Sequence, residues 1–250
     1  MSEFNFYSGI KTPPVTLVEC GRGDPHYKGF RDRHYIPNKG SFGKQVHYLV
    51  IVEGKVAGVI SGGESVFSCK PFQDFFKLPP CAKMKVGETN PYSISLNGII
   101  QNTVFRMEDS RPNLASKVLA MWRKRVAHDW ESSYSVKPFG FLTFIIESDA
   151  RKGSLYKADN WSYLGDTIGN TKTHSGKGSG LGTPHARATA EKKMIFAKKI
   201  RGGVIPTEYR ATWNATDPET IAFTKARSKN RNLRIKQGKK QLKELLGESE

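Results

Sequence analysis

Disulfide, zinc and membrane chemistry are all poorly supplied in this chain. Only three cysteines occur in 250 residues: Cys20, Cys69 and Cys81. Their odd number and the lack of any C-x-x-C pair exclude a disulfide framework and point to a reducing compartment. The six histidines (His26, His34, His47, His128, His174 and His185) show neither H-E-x-x-H nor zinc-finger spacing, so no metal site is read. His47 reads as a packed strand residue. No apolar run approaches the roughly 20 residues of a membrane helix. Met1 to Pro13 also lacks an apolar secretory segment, so the expectation is a cytoplasmic protein that does not engage a membrane. There is no G-x-S-x-G elbow for a serine nucleophile.

Acidic residues are scarce too. Asp and Glu number 23 against 40 Lys and Arg, a formal charge of +17. Such an excess attracts polyanions whatever the fold, and DNA, with tRNA beside it, is the partner it points to. Hydrophobic residues make up 37%, with a mean hydropathy of −0.52, which reads as one ordinary core diluted by polar loops and a polar tail.

Three segments follow from this: an arm over 1–14, a domain over 15–212 and a basic tail over 213–250. Strands are read at Val15–Cys20, Gln45–Val52, Lys55–Ser61, Tyr92–Met107, Phe139–Ile146, Trp161–Thr167 and Lys192–Ile200. Glu53-Gly54 makes a hairpin turn between the second and third. The strongest helix runs from Pro112 to about Trp130, with Leu114, Val118, Leu119, Trp122 and Val126 on one face. Pro112 suits its first turn. A short helix capped by Ser154 carries Leu155, Tyr156 and Ala158 and ends at Asn160. Gly62, Gly63 and the stretch Phe67 to Lys85 read as irregular. The Gly-rich basic loop over 168–191 lacks P-loop spacing, which excludes nucleotide hydrolysis. It reads either as a linker or as an element tracking a nucleic-acid backbone through Lys172, Lys177 and Arg187. The tail offers Arg227, Arg231 and Arg234 for the same purpose, with Leu242, Leu245 and Leu246 able to dock a helix.

The strand, polar turn, short helix and returning strand from Phe139 to Thr167 resemble the C-terminal half of the GNAT acyltransferase fold. More narrowly, Gly153 to Thr167 resembles the matching segment of the phage Mom DNA-modification proteins, and is similar to protein A of the Druantia antiphage system. His34-Tyr35 with the following hairpin is a second point of resemblance to Mom. The opening Pro112-Asn113-Leu114-Ala115-Ser116 is closer to Druantia protein A. The resemblance implies an α/β (α+β) fold: a mixed, mostly antiparallel splayed sheet flanked by helices, with a basic C-terminal extension. It implies Asp149, Tyr156, Ser116, Tyr35 and His34 as catalytic positions. Arg106 (matched only with a gap), Asn113, Lys157, Asn160 and Trp161 become substrate contacts. The usual glycine-rich pyrophosphate loop of GNAT enzymes is replaced by Asp109 to Ser116, which removes positions where backbone approaches a pyrophosphate closely.

The activity so implied is transfer of an acyl or glycyl-derived group to N6 of adenine in phage DNA, forming N6-carbamoylmethyladenine and protecting it from restriction. The alternative is a nucleic-acid-binding component of a Druantia-type system. The adenine amine is a weak nucleophile that must shed a proton, which suits a carboxylate such as Asp149. Tyr156 can protonate the leaving group, and Ser116 with nearby N–H groups can hold an oxyanion. The base must leave the duplex to be reached, and Tyr35 or Trp161 can stack on it. The donor is either an acyl-CoA or glycyl-tRNA. With glycyl-tRNA, the glycyl amine of N6-glycyladenine attacks C6, and the spiro intermediate reopens as the carbamoylmethyl isomer with every atom conserved.

Overall fold

The computed structural model describes residues 12–36, 43–66, 69–80, 90–149, 151–167, 192–208 and 216–248. In chain order these form β1 (Val15–Cys20), α1 (Pro25–Asp32), β2 (Gln45–Val52), β3 (Lys55–Glu64), α2 (Lys70–Phe76), α3 (Pro91–Leu96) and β4 (Ile99–Met107). Then come α4 (Leu114–Tyr134), β5 (Gly140–Ile146), α5 (Ser154–Ala158), β6 (Ser162–Asp166), β7 (Lys193–Lys199) and α6 (Pro218–Leu246). The seven strands make one sheet in the order β1-β2-β3-β4-β5-β7-β6. Every pairing is antiparallel except β4 with β5. The mixed, mostly antiparallel sheet expected from the sequence is therefore present.

All eight residues of β2 are buried, because both faces of the sheet are covered. Val46, Tyr48, Val50 and Val52 pack with the apolar stripe of α4 (Leu114, Val118, Leu119, Trp122, Val126 and Trp130). Leu49 and Ile51 point the other way, to Tyr27 and Phe30 of α1 and Leu242 of α6. The β2–β3 turn has Glu53 at φ 50° and Gly54 at φ 72°, the double left-handed geometry whose twist matches a hairpin.

Six readings of the sequence are corrected. Residues 91–96 are helical rather than the start of a long strand: the Asn90 side chain accepts from the Tyr92 N–H, and Pro91 stands in the first turn. The same Asx-Pro chemistry starts α1, where Asp24 accepts from the N–H groups of His26 and Tyr27, in a stretch read only as a break followed by a basic run. A third helix, α2, lies within the segment read as irregular. Gly62 and Gly63 are part of β3, and a Cβ on Gly62 would stand 2.8 Å from Ile100 and 3.0 Å from Val126, so a bare backbone lets α4 settle on the sheet. Pro112 precedes α4 instead of opening it, and Asn113 forms the left-handed N-cap at φ 61°. Ser154 is the first helical residue of α5, behind a Gly153 cap at φ 72°.

His47 lies buried on the α1 side of the sheet, its Nδ1 3.1 Å from Ser61 Oγ. Burial first, then repulsion from Arg231, Arg22 and Arg31, holds its pKa down at about 3. An unfolded histidine titrates near 6.5. As pH falls below 6.5 the unfolded chain takes up this proton before the folded one, so stability present at neutral pH is lost progressively toward pH 3. Urea titrations at neutral pH and near pH 4 are expected to differ by about 3 kcal/mol through this group. His47→Gln should flatten that difference; an unchanged pH dependence would show that His47 is not its source.

Candidate active site

Two irregularities in β4 part it from β5. Its parallel ladder with β5 runs only from Ile99 opposite Gly140 to Asn102 opposite Thr143. On its other edge the register with β3 shifts between Ser61 and Gly62, which face Val104 and Asn102 and leave Thr103 without an opposite residue. An extra residue of this kind bends and twists a strand, so β4 parts from β5 just beyond Asn102.

Asn102 is the buried polar residue at the last β4–β5 pairing. Its Nδ2 donates to the carbonyls of Ser61 (3.0 Å) and Val104 (3.3 Å), and its own carbonyl accepts from Thr143 Oγ1 at 3.2 Å. Those bonds fix Asn102 Oδ1, which accepts from the Tyr156 hydroxyl at 2.8 Å. Tyr156 arrives there because Gly153 turns the chain in the left-handed region, where a Cβ would collide with the Phe196 ring at 2.4 Å. The Tyr156 ring stacks on Phe196 and meets Trp161 edge-on. Burial, with Tyr35 adding to it, pushes the phenol far above its ordinary pKa.

The segment after α1 supplies a wall. His34 and Tyr35 lie ring against ring at 4.5 Å, and the Arg151 guanidinium sits 4.1 Å above the Tyr35 ring. His34 Nδ1 is 3.1 Å from the Ile36 carbonyl, and burial with Arg106 and Arg151 lowers its pKa, so the ring is neutral. Arg106 donates to the Arg33 carbonyl at 2.5 Å. Tyr35, His34, Arg106 and Tyr156 thus belong to one neighbourhood.

The other expected residues are more dispersed. Asp149 is exposed in the turn closed by the Ser148–Arg151 bridge, and no described residue hydrogen-bonds to it. Ser116 is half-buried in the first turn of α4, while Asn113, Lys157 and Asn160 are exposed. Trp161 is buried, its indole N–H donating to Asp159 Oδ2 at 2.7 Å, and Asp159 is clamped by Arg123. The indole is packed in the core and held by Asp159, so Trp161 is read as a packing residue and Tyr35 is the ring left to stack on a base. Arg151 and Asn102 were missed. The available signals were a cation inside the polar turn and an amide in a strand otherwise carrying Ile99, Ile100 and Val104.

Lys172, Lys177 and Arg187 lie outside the described residues. The three tail arginines are corrected, because α6 turns them toward the body. Arg234 donates to buried Glu19 at 2.9 Å and to the hydroxyls of Ser132 and Ser133. Arg227 lies 5.5 Å over the Tyr134 ring, and Arg231 sits near enough to His47 to add to the lowering of its pKa by burial. Among the described residues no three His, Cys, Asp or Glu side chains gather as for a metal ion, and no helix is long and apolar enough to cross a membrane.

A family model described as Druantia protein DruA matches residues 11–199. No curated protein matches. Among solved structures the chain is similar to Arabidopsis thaliana NAA60 in complex with acetyl-CoA, at 10% identity over 76% of this chain and 100% of that one, with a TM-score of 0.44. An IAA acetyltransferase from Bacillus cereus is alike at 10% identity, covering 75% and 100%, with a TM-score of 0.44. A Salmonella typhimurium acetyl transferase that modifies the N-terminal serine of ribosomal protein L7/L12 aligns at 10% identity over 63% of this chain, with a TM-score of 0.38. The chain spans 65% of that enzyme, less than two thirds of its length. Likenesses this distant carry no information on substrate or activity.

Proposed function

The chain belongs to the family of Druantia protein DruA, which supports an antiphage role; from the resemblance of Gly153 to Thr167 to the Mom proteins we propose that it acts as a transferase placing an acyl-derived group on the exocyclic N6 amine of adenine in DNA. The observation that carries this reading is Tyr156: a phenol held by Asn102 where two neighbouring strands part.

The chemistry follows from the residues in place. An extruded adenine lies against the Tyr35–Arg151 pair, since an aromatic ring and a guanidinium both offer stacking planes. N6 attacks the acyl carbon of a thioester or of an aminoacyl ester. The bond from that carbon to the donor's sulfur or ribose oxygen breaks, and Tyr156 turns its O–H from Asn102 Oδ1 to the departing atom and gives it the proton. The proton lost from N6 passes to Asp149, the carboxylate in the turn beside Arg151. No side chain caps α4 at Asn113, so the first-turn N–H groups there, with Ser116, suit the phosphates of an acyl-CoA or of a tRNA 3′ end.

The test supplies purified protein with DNA and either acetyl-CoA or glycyl-tRNA labelled in the acyl group. Label in the DNA that survives nuclease digestion as a modified deoxyadenosine is the expected result. DNA bound by the protein but left unlabelled by both donors would replace this reading with that of a nucleic-acid-binding defence component.

A further inference from the structure

One strip of the solvent face of α6 carries six lysines. Lys225, Lys229, Lys236, Lys239, Lys240 and Lys243 are all exposed. At 3.6 residues per turn they fall within an arc of about 100°, and from Lys225 to Lys243 they extend about 27 Å along the helix. The opposite face holds Arg227, Arg231, Arg234, Gly238 and Leu242, turned to the body. A Cβ on Gly238 would stand 2.1 Å from the Glu19 carbonyl oxygen, so this orientation is fixed by close approach to β1.

We propose that this stripe of lysines is a docking surface for the phosphate backbone of duplex nucleic acid. Exposed helices ordinarily intersperse charges so that residues four apart attract. Here Lys225 with Lys229, Lys236 with Lys240 and Lys239 with Lys243 stand four apart and repel. The acidic residues of the helix, Glu219 and Glu244, lie near its ends, and none of the six lysines has an ion pair with a described residue. A row of phosphates relieves that repulsion and releases the counterions condensed on the duplex. A membrane surface suits the stripe less well, because Leu242, Leu245 and Leu246 are packed under the helix and exposed Ile221 and Leu233 stand twelve residues apart without forming an apolar face. The surface rests on the reading of nucleic acid as partner and is independent of group transfer.

The test measures anisotropy of a labelled DNA duplex over a range of KCl concentrations, using the full chain. A variant with Lys236, Lys239, Lys240 and Lys243 all changed to Gln is expected to lower the slope of log K against log salt by about 3.6, at about 0.9 per lysine. Changing the same four to Arg should keep the slope. Should the Gln variant fail to fold by circular dichroism, Lys225→Gln with Lys229→Gln is expected to lower the slope by about 1.8. An unchanged slope in a folded Gln variant overturns the proposal. So does a wild-type chain that ignores the duplex and binds phosphatidylserine vesicles through these lysines. Label transfer to DNA is read separately, so loss of either result leaves the other interpretable.

Discussion

Replacing Tyr156 by Phe is expected to lower group transfer by about 10²–10⁴-fold, the range for removing a general acid, while the protein stays folded and binds DNA as before. The ring makes most of the packing, against Phe196 and Trp161, and Phe keeps it. The hydroxyl leaves only Asn102 Oδ1 to be satisfied otherwise, at a cost of about 1–3 kcal/mol. Asn102→Ala separates holding from reacting: Tyr156 keeps its phenol but loses the acceptor that fixes it. A smaller loss of rate, with the pH profile displaced, marks Asn102 as a positioning residue. Full activity in Tyr156→Phe would reduce the tyrosine to a packing residue.

The second large effect is on stability. Arg234→Ala is expected to destabilise the fold by about 3–5 kcal/mol, measured by urea unfolding at neutral pH, because it strands the Glu19 carboxylate in the core. Burial already raises the Glu19 pKa against the opposing pull of Arg234. A carboxyl raised in this way stabilises fully below its unfolded value near 4.3 and loses that contribution as pH climbs through its folded value. The variant should therefore be weakest at neutral pH and recover part of its loss on acidification. A change below about 0.5 kcal/mol would show that α6 does not depend on this anchor. The same packing revises the role of the tail. Leu242 is buried, with Leu245 and Leu246 against it, so removing 225–250 is expected to destabilise the sheet at β1 rather than only weaken DNA binding.

Elements whose apolar period was unambiguous were legible in the sequence. The alternating or fully apolar strands at Gln45–Val52 and Phe139–Ile146, and the stripe from Leu114 to Val126, fell where expected. The segment from Tyr92 to Leu96 did not, since Ile94 and Leu96 alternate as in a strand and only the Asn90-Pro91 pair announces a helix. The resemblance led to Tyr156 and Tyr35, which the fold brings into one neighbourhood. Arg151 and Asn102 escaped because their importance lies in contacts between residues distant in sequence: Asn102 matters through Ser61, Thr143 and Tyr156. The tail showed the opposite failure. Its charge was evident, but which cations face water depends on the helical phase fixed by Gly238 against Glu19.

Mass spectrometry of deoxynucleosides from cells expressing the chain tests the proposed chemistry most directly. The expected result is a deoxyadenosine heavier by an acyl-derived group, present with the wild-type chain and reduced at least about a hundredfold with Tyr156→Phe at equal protein level. Unmodified deoxyadenosine in cells holding folded, DNA-bound wild-type protein would contradict it.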